Sequence, residues 1–461
     1  MDSLAAVILA AGKSKRLRSK IPKVLHPIAG QPMIRYPVEA VAPLGVARLV
    51  VVVGPESQGV RQVLGPAIAG GSVNRPVAVE YVEQSEQLGT GHALRQARPL
   101  LEGQATTILS LYGDHPLTTT DTLRRLVERH AATGATITML TVDAAESMGF
   151  GRIVRDAAGR VQAIVEEAVA TPEQRRIREL NVGIYCFQAA WLWPSLERLP
   201  LGPVGEYYLT DLLALAVAEG QPVETVAAAS VDEVLGVNNR LHLAQAERVI
   251  RERIRQELML AGVTIIDPPS TFIDKGVVIG ADTVLYPGTI IEGRSHIGSD
   301  CVIGPYSHIV NSSVGAGCRI VASTLESAVV EDGVSIGPYS HLRPGAHLGP
   351  GVHIGNFAEV KNSRLGRGVH QGHFSYVGDA TVGEGVNIGA GTVTCNFDGA
   401  KKHPTVIEDG AFIGSDTMLI APVRVGRRAK TGAGSVVTHD VPPESVVYGV
   451  PARAAKKRQE E

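Results

Sequence analysis

The chain has 461 residues, a formal net charge of −2 and only 4% aromatic residues. A near-neutral balance supplies no global positive field for a nucleic acid or a membrane surface, and no apolar run reaches the roughly 18 residues that span a bilayer. The length suits two or three domains, and 51 glycines predict an architecture that turns tightly and repeats in part of the chain.

The first predicted strand, Ala5 to Leu9, is followed by Gly12 and six cations: Lys13, Lys15, Arg16, Arg18, Lys20 and Lys23. A secretory signal carries its cations before the apolar run, so the order here predicts a cytoplasmic protein. The stretch reads either as a solvated basic loop or as a phosphate cradle, in which a glycine lets the backbone approach an anion. It matches neither GxxxxGK[ST] nor GxGxxG.

Buried strands are predicted at Leu49–Val53, Thr107–Leu111 and Ala135–Leu140, with a helix at Thr122–His130. This alternation predicts an α/β fold with a mostly parallel sheet, whose ligands lie at the carboxyl ends of the strands. From Asn239 to Gly262, Leu243, Ala246, Ile250, Ile254 and Leu258 recur at helical spacing and predict a connecting helix stopped by Gly262.

A period of six then takes over. Ile273, Ile279, Leu285, Ile291, Ile297, Ile303 and Ile309 are evenly spaced, the register slips by one at Val314, and the period returns at Ile336–Val360 and Ile407–Val437. Six suits neither a 3.6-residue helix nor simple alternation. It predicts a solenoid of short strands with one inward aliphatic per side, and glycine after many of those aliphatics is expected to permit the corners. Cys186, Cys301, Cys318 and Cys395 form no CxxC and are expected to be core residues. The predicted domains are 1–238, a linker 239–262, and 263–461.

The N-terminal motifs LAAGKSKRLRSKIPKVL, QLGTGHA, YGDHPL, GFGRIV, VEEA, ELNVGIY, GEYYLTD and GVNNR occur in order. Together they resemble the sugar-1-phosphate nucleotidylyltransferases, which have a Rossmann-like α/β domain. The hexads resemble the left-handed parallel β-helix of hexapeptide acyltransferases, which are typically homotrimeric. The two halves in one chain, matching from about Ala5 to Gly449, resemble the bifunctional family that acetylates glucosamine-1-phosphate and then transfers UMP to N-acetylglucosamine-1-phosphate.

The resemblance implies roles residue by residue. Arg16 would hold the β and γ phosphates of UTP, and Lys23 the α-phosphate and the sugar phosphate. Leu9, Ala11 and Gly12 would contact base and ribose, with Gln84, Gly89 and Thr90 reading uracil. Tyr112 and Gly113 would line the nucleotide site. Asp114 and Asn238 would hold Mg²⁺, since one or two oxygen ligands suit an ion that also bridges phosphates. Gly151, Glu166 and Asn181 would bind the sugar, beside Tyr208 and Thr210. In the second half His373 would be the base that frees the amine for attack on the acetyl-CoA thioester, with Glu359 beside it. Arg343, Lys361, Tyr376, Asn387 and Lys402 would hold the acceptor. Ala390, Asn396, Phe397, Ser415 and Ala433 would line the acetyl-CoA groove. The implied product is UDP-N-acetylglucosamine for envelope or wall polysaccharide, from small-molecule substrates with no nucleic-acid or membrane partner.

Several positions depart from the family pattern. Ser14 and Lys15 replace a glycine and a threonine, Ala168 and Val169 replace a lysine and an aspartate, and Val182 replaces a threonine. Phe397 stands for a tyrosine, and the arginine usual near Gly449 is absent, with Arg453 as its substitute. The alternatives are a nucleotidylyltransferase whose β-helix only trimerises or regulates, and a non-enzymatic scaffold. Retention of His373, Arg343, Lys361 and Tyr376 argues against the first, and of Arg16, Lys23, Asp114 and Asn238 against the second.

Overall fold

The computed structural model describes residues 3–12, 15–68 and 76–454. The chain forms two compact units, Met1–Ile250 and Arg251–Glu461.

In the first unit the strand Leu4–Ala10 lies between Arg48–Val53 and Thr107–Tyr112, parallel to both, and Val77–Glu83 extends the sheet in parallel beyond Arg48–Val53. The strands Leu4–Ala10 and Arg48–Val53 are nearly all-aliphatic because both faces of the sheet are covered there. Two cores result, one on each side of the sheet. The far half departs from the expected parallel order. Glu179–Gln188 runs antiparallel to both Thr107–Tyr112 and Ile137–Asp143, so the sheet is mixed. The predicted helix at Thr122–His130 is longer, Thr120–Thr133, because the Thr119 hydroxyl caps its start and Gly134 takes left-handed backbone at its end.

His130 points from that helix into the core and shares a hydrogen bond with Thr138 Oγ1 at 3.0 Å. Burial pushes its imidazole down to about 4. The unfolded chain therefore binds the extra proton first, and stability is lost as pH falls from about 6.5 towards 4. At about 1.4 kcal/mol per pKa unit, this amounts to roughly 3 kcal/mol. His130→Gln is expected to flatten the acid side of the unfolding profile in that window. A slope matching the wild type would show that His130 is not the responsible group.

The helix Arg240–Leu260 carries the predicted stripe, with Ala246, Ile250 and Ile254 buried. Beyond it, thirty-one strands of two to four residues, Thr264–Ile265 to Ala452–Ala454, form three sheets of twelve, ten and nine strands. Each strand pairs in parallel with the one a full coil later, as Ile273 does with Ile291 and Ile291 with Ile309. One hairpin, Val446–Gly449 with Ala452–Ala454, is antiparallel. This is the three-sided architecture expected of a left-handed β-helix, with the hexad aliphatics from Ile273 to Val437 buried inside it.

The slip at Val314 is one of several five-residue steps: Ile309 to Val314, Ile320 to Leu325, Leu325 to Val330, Val360 to Leu365 and Val377 to Val382. Each contains one non-glycine residue with left-handed backbone, respectively Asn311, Ala322, Ser327, Asn362 and Asp379, with φ between 43° and 51°. Six-residue corners carry left-handed residues too, Asp282, Asp300, Tyr339 and Phe357 among them, so the short corners differ by lacking one residue and not by this conformation, which Asn and Asp tolerate best. Gly304 and Gly337, with φ 98° and 101°, supply corner backbone as expected, but most of the glycines after the aliphatics do a different job. Gly280, Gly298, Gly355, Gly389 and Gly414 have ordinary φ. They are small because the next coil crowds them: a Cβ on Gly280 would lie 2.5 Å from Ser299 N, and one on Gly355 would overlap the Gly372 carbonyl.

Candidate active sites

The first site lies at the carboxyl ends of Leu4–Ala10, Arg48–Val53 and Thr107–Tyr112. Gly113 N donates to Leu9 O at 2.9 Å, which ties the Tyr112-Gly113-Asp114 turn to the end of the first strand. A Cβ on Gly113 would lie 2.6 Å from the Ile34 side chain. Leu9 and Ala11 are buried, while a Cβ on Gly12 would meet nothing, so the backbone there faces open space. That space is a cavity of about 590 Å³ lined by Ala11, Gly12, Arg18, Lys20, Lys23 and Gln87, among others.

Four expected residues converge. Arg16 Nη2 donates to Asn238 Oδ1 at 2.8 Å, and Lys23 Nζ donates to the same oxygen at 2.9 Å while forming a salt bridge with Asp114. One ammonium thus reaches both the Asp114 carboxylate and the Asn238 amide oxygen. A hard cation fits the same two oxygens, leaving its other positions to water and phosphate.

The base-reading motif is clamped to GEYYLTD. Gly91 N donates to Tyr207 O at 2.9 Å, Tyr207 N to Leu88 O at 2.8 Å, and Leu209 N to Thr90 Oγ1 at 3.0 Å. Gly89 has φ 97°, and a Cβ there would lie 2.6 Å from Tyr207 O. Gln84 is buried, its amide donating to Gly89 O at 3.0 Å. Gln87, in the quoted motif but not singled out, donates its side-chain amide to Ala11 O.

On the sugar side, Gly151 O accepts from Asn181 N at 2.8 Å, and a Cβ on Gly151 would sit 3.4 Å from Glu166 Oε1. The Asn181 side chain is buried and exchanges hydrogen bonds with the Tyr185 hydroxyl. Burial keeps the Tyr112 and Tyr185 phenols protonated, far above their ordinary range. Val182 is buried in the core on the opposite face from Asn181, as alternation along a strand requires. Its replacement of threonine therefore points away from the sugar side. Val169 is exposed, and Glu167 pairs with the buried Arg152. Ser14 and the side chains of Lys15 and Ala168 lie outside the described residues.

In the second unit the expected residues occupy two neighbouring corners of the coil. His373 and Phe374 form one corner; Gly391 N donates to Phe374 O at 2.7 Å, which sets Ala390 and Gly391 directly beneath. Asp416 N bonds Ala390 O at 2.6 Å and Gly434 N bonds Ser415 O at 2.8 Å, so Ala390, Ser415 and Ala433 form a row of small residues down the same edge. Above the row the edge is aromatic and exposed: Tyr306, Tyr339, Phe357 and Phe374, with Tyr339 and Phe357 stacked at 5.3 Å.

The next face holds the polar set. Glu359 is in register with Tyr376, and Lys361 with Gly378. Arg343 Nη1 donates to Glu359 Oε1 at 2.8 Å. The carboxylate expected beside His373 is thus committed to Arg343, because it stands on the strand face one corner past the histidine. Lys402 lies close enough to Lys361 to depress its ammonium pKa, which marks paired cations suited to an anion. Asn396 donates to Asp379 at 2.5 Å and to the Tyr376 hydroxyl at 3.4 Å; Asp379 was not foreseen as part of this group. Lys402 and the exposed Phe397 bridge across the loop that interrupts the hexads. Asn387 lies on a third face, in register with His370. Arg453 is exposed, in the final hairpin.

Comparison with known proteins accords with this division. A nucleotidyl transferase family model matches residues 5–247, and a bacterial transferase hexapeptide model matches 276–311, 327–362 and 404–439. The bifunctional protein GlmU of Heliobacterium modesticaldum is 48% identical over 96% of this chain and 94% of its own. The chain belongs to the bifunctional GlmU family. That of Exiguobacterium sibiricum is also 48% identical, over 95% of each chain, and that of Pelobacter propionicus is 46% identical over 97% and 95%. Like other GlmU proteins, the chain is a nucleotidyltransferase and an N-acetyltransferase, acting on small molecules. Among the described residues no helix is long and apolar enough to cross a membrane.

Proposed function

We propose that this chain makes UDP-N-acetylglucosamine in the cytoplasm by two successive transfers. At the β-helix site the amine of glucosamine-1-phosphate attacks the thioester carbonyl of acetyl-CoA. The N–C bond forms, the C–S bond breaks, and His373 takes the amine proton. Arg343 with the Lys361–Lys402 pair supplies cationic partners for the sugar phosphate. The row Ala390, Ser415 and Ala433 leaves room for the pantetheine arm against the backbone.

At the first site a phosphate oxygen of N-acetylglucosamine-1-phosphate attacks the α-phosphorus of UTP and pyrophosphate leaves. Positioning and charge stabilisation carry such a transfer. Lys23 neutralises charge on the α-phosphate, Arg16 reaches the leaving phosphates, and the Gly12 backbone leaves them space. Asp114 and Asn238 would hold Mg²⁺, which when bound neutralises the phosphates. The observation that carries the reading is the meeting of Arg16, Lys23, Asp114 and Asn238 from opposite ends of the first unit at the carboxyl ends of its strands. The exposed aromatic edge from Tyr306 to Phe374 supports a homotrimer, since an apolar ridge of this kind favours cover by a second copy.

The test is mass spectrometry of products from purified protein with Mg²⁺, UTP, acetyl-CoA and glucosamine-1-phosphate, each omitted in turn. UDP-N-acetylglucosamine that requires both cosubstrates is expected. Product only from ready-made N-acetylglucosamine-1-phosphate would mean that the β-helix site does not acetylate.

A further inference from the structure

The sugar side of the first unit contains a cavity of about 330 Å³ whose polar lining is Glu166, Tyr208, Thr210 and Asp211, over an apolar floor that includes Ile164. No cation lines it. Arg152, the residue after Gly151 in the same motif, is held by Glu167. Neither the Glu166 nor the Asp211 carboxylate receives a hydrogen bond from a protein group among the described residues, although both face this cavity. Burial raises both carboxyls above the usual carboxylate range, and at Glu166 the charge of Asp211 adds to the rise.

Two unpartnered carboxylates are acceptors without donors. Such a pocket repels phosphate and carboxylate groups and favours a neutral polyol whose hydroxyls donate to them; hydroxyl donation also relieves the repulsion between the two. We propose that Asp211 is a second sugar-recognition carboxylate, accepting ring hydroxyls together with Glu166 and turning away sugar 1-phosphates that carry another anionic group. This rests on the reading of the first unit as a sugar-1-phosphate nucleotidylyltransferase, and adds to it a residue and a rule of selectivity.

Asp211 also opens the helix Asp211–Ala218, where a carboxylate is favourable in its own right. Asp211→Asn in the full chain keeps the shape at that position and removes the charge. The expected result is a KM for N-acetylglucosamine-1-phosphate raised about tenfold, in line with loss of a charge-assisted hydrogen bond. The KM for UTP and the acetyl transfer rate stay as in the wild type. The preference for the neutral sugar over a uronic acid 1-phosphate falls by a similar factor. A purely structural role would lower the melting temperature and move both KM values together, with selectivity intact; that outcome overturns the proposal, as does a sugar KM within twofold of wild type. Calorimetric titration with N-acetylglucosamine-1-phosphate separates the two levels of inference. If the wild type turned over no sugar phosphate, the underlying reading would fail, yet weaker binding to the variant would still support Asp211 and equal binding would refute it.

Discussion

Lys23→Ala is expected to lower uridylyl transfer about 10²–10³-fold, the scale on which removing one preorganised charge from a transfer site acts. Lys23 is the group that joins the two halves of the first site. Its ammonium meets the Asp114 carboxylate and the Asn238 amide oxygen together, and it borders the cavity below Gly12. Without it, charge building on the transferring phosphate loses a partner fixed before the substrate arrives. Arg16, which also contacts Asn238, does not replace it, because its bond engages the amide oxygen alone. The measurement is pyrophosphate release at saturating UTP and N-acetylglucosamine-1-phosphate, beside acetyl transfer on the same preparation. Acetyl transfer at the wild-type rate shows that the second unit is intact. Uridylyl transfer within threefold of wild type would remove Lys23 from the mechanism.

His373→Ala is expected to abolish acetyl transfer, by about 10²–10⁴-fold for loss of a positioned base, and to leave uridylyl transfer unchanged. The fold gives this substitution unusual clarity. His373 is exposed at its corner, and its backbone carbonyl, not its ring, accepts the Ser375 hydroxyl at 2.9 Å. Alanine retains that carbonyl, so the corner and the coil beneath it keep their bonds. Free thiol released from acetyl-CoA reports the loss, and ready-made N-acetylglucosamine-1-phosphate restores the nucleotide sugar. A variant that still releases thiol at the wild-type rate would shift the base role to another group, with the His353–His370 pair on the adjoining face, at 5.5 Å, the first to test.

Both halves of the fold were legible because their signals are periodic. Runs of valine announce a sheet covered on both faces, and one aliphatic every six residues has no other simple geometry. What periodicity does not carry was read less well. The antiparallel return of Glu179–Gln188 depends on which edge the chain revisits, and no local pattern encodes that. Sequence suggests backbone freedom for Gly355 and Gly389, but the crowding that requires them comes from a coil one full turn away. In the sites, Arg16, Lys23, Asp114 and Asn238 meet in one place, whereas Glu359 pairs with Arg343 and Asn387 stands on another face from Lys361 and Tyr376. Glu359 faces Arg343 because both belong to consecutive coils on one side, a relation hidden by their separation in sequence. Asp211 went unremarked beside Tyr208 and Thr210 because an acidic residue at a helix start has an ordinary explanation.

The five-residue steps have a consequence for how this half of the chain varies in length. The corners at Asn311, Ala322, Ser327, Asn362 and Asp379 are each one residue shorter while the flanking strands stay in register. The loop around Lys402 lengthens another, and strand Thr405–Ile407 still pairs with Ala380–Val382. Insertions and deletions are therefore absorbed at the corners, where they change what projects from an edge, and not along the sides, where they would turn the buried column outward. A coil of this design can acquire or lose binding groups one corner at a time without renegotiating its interior.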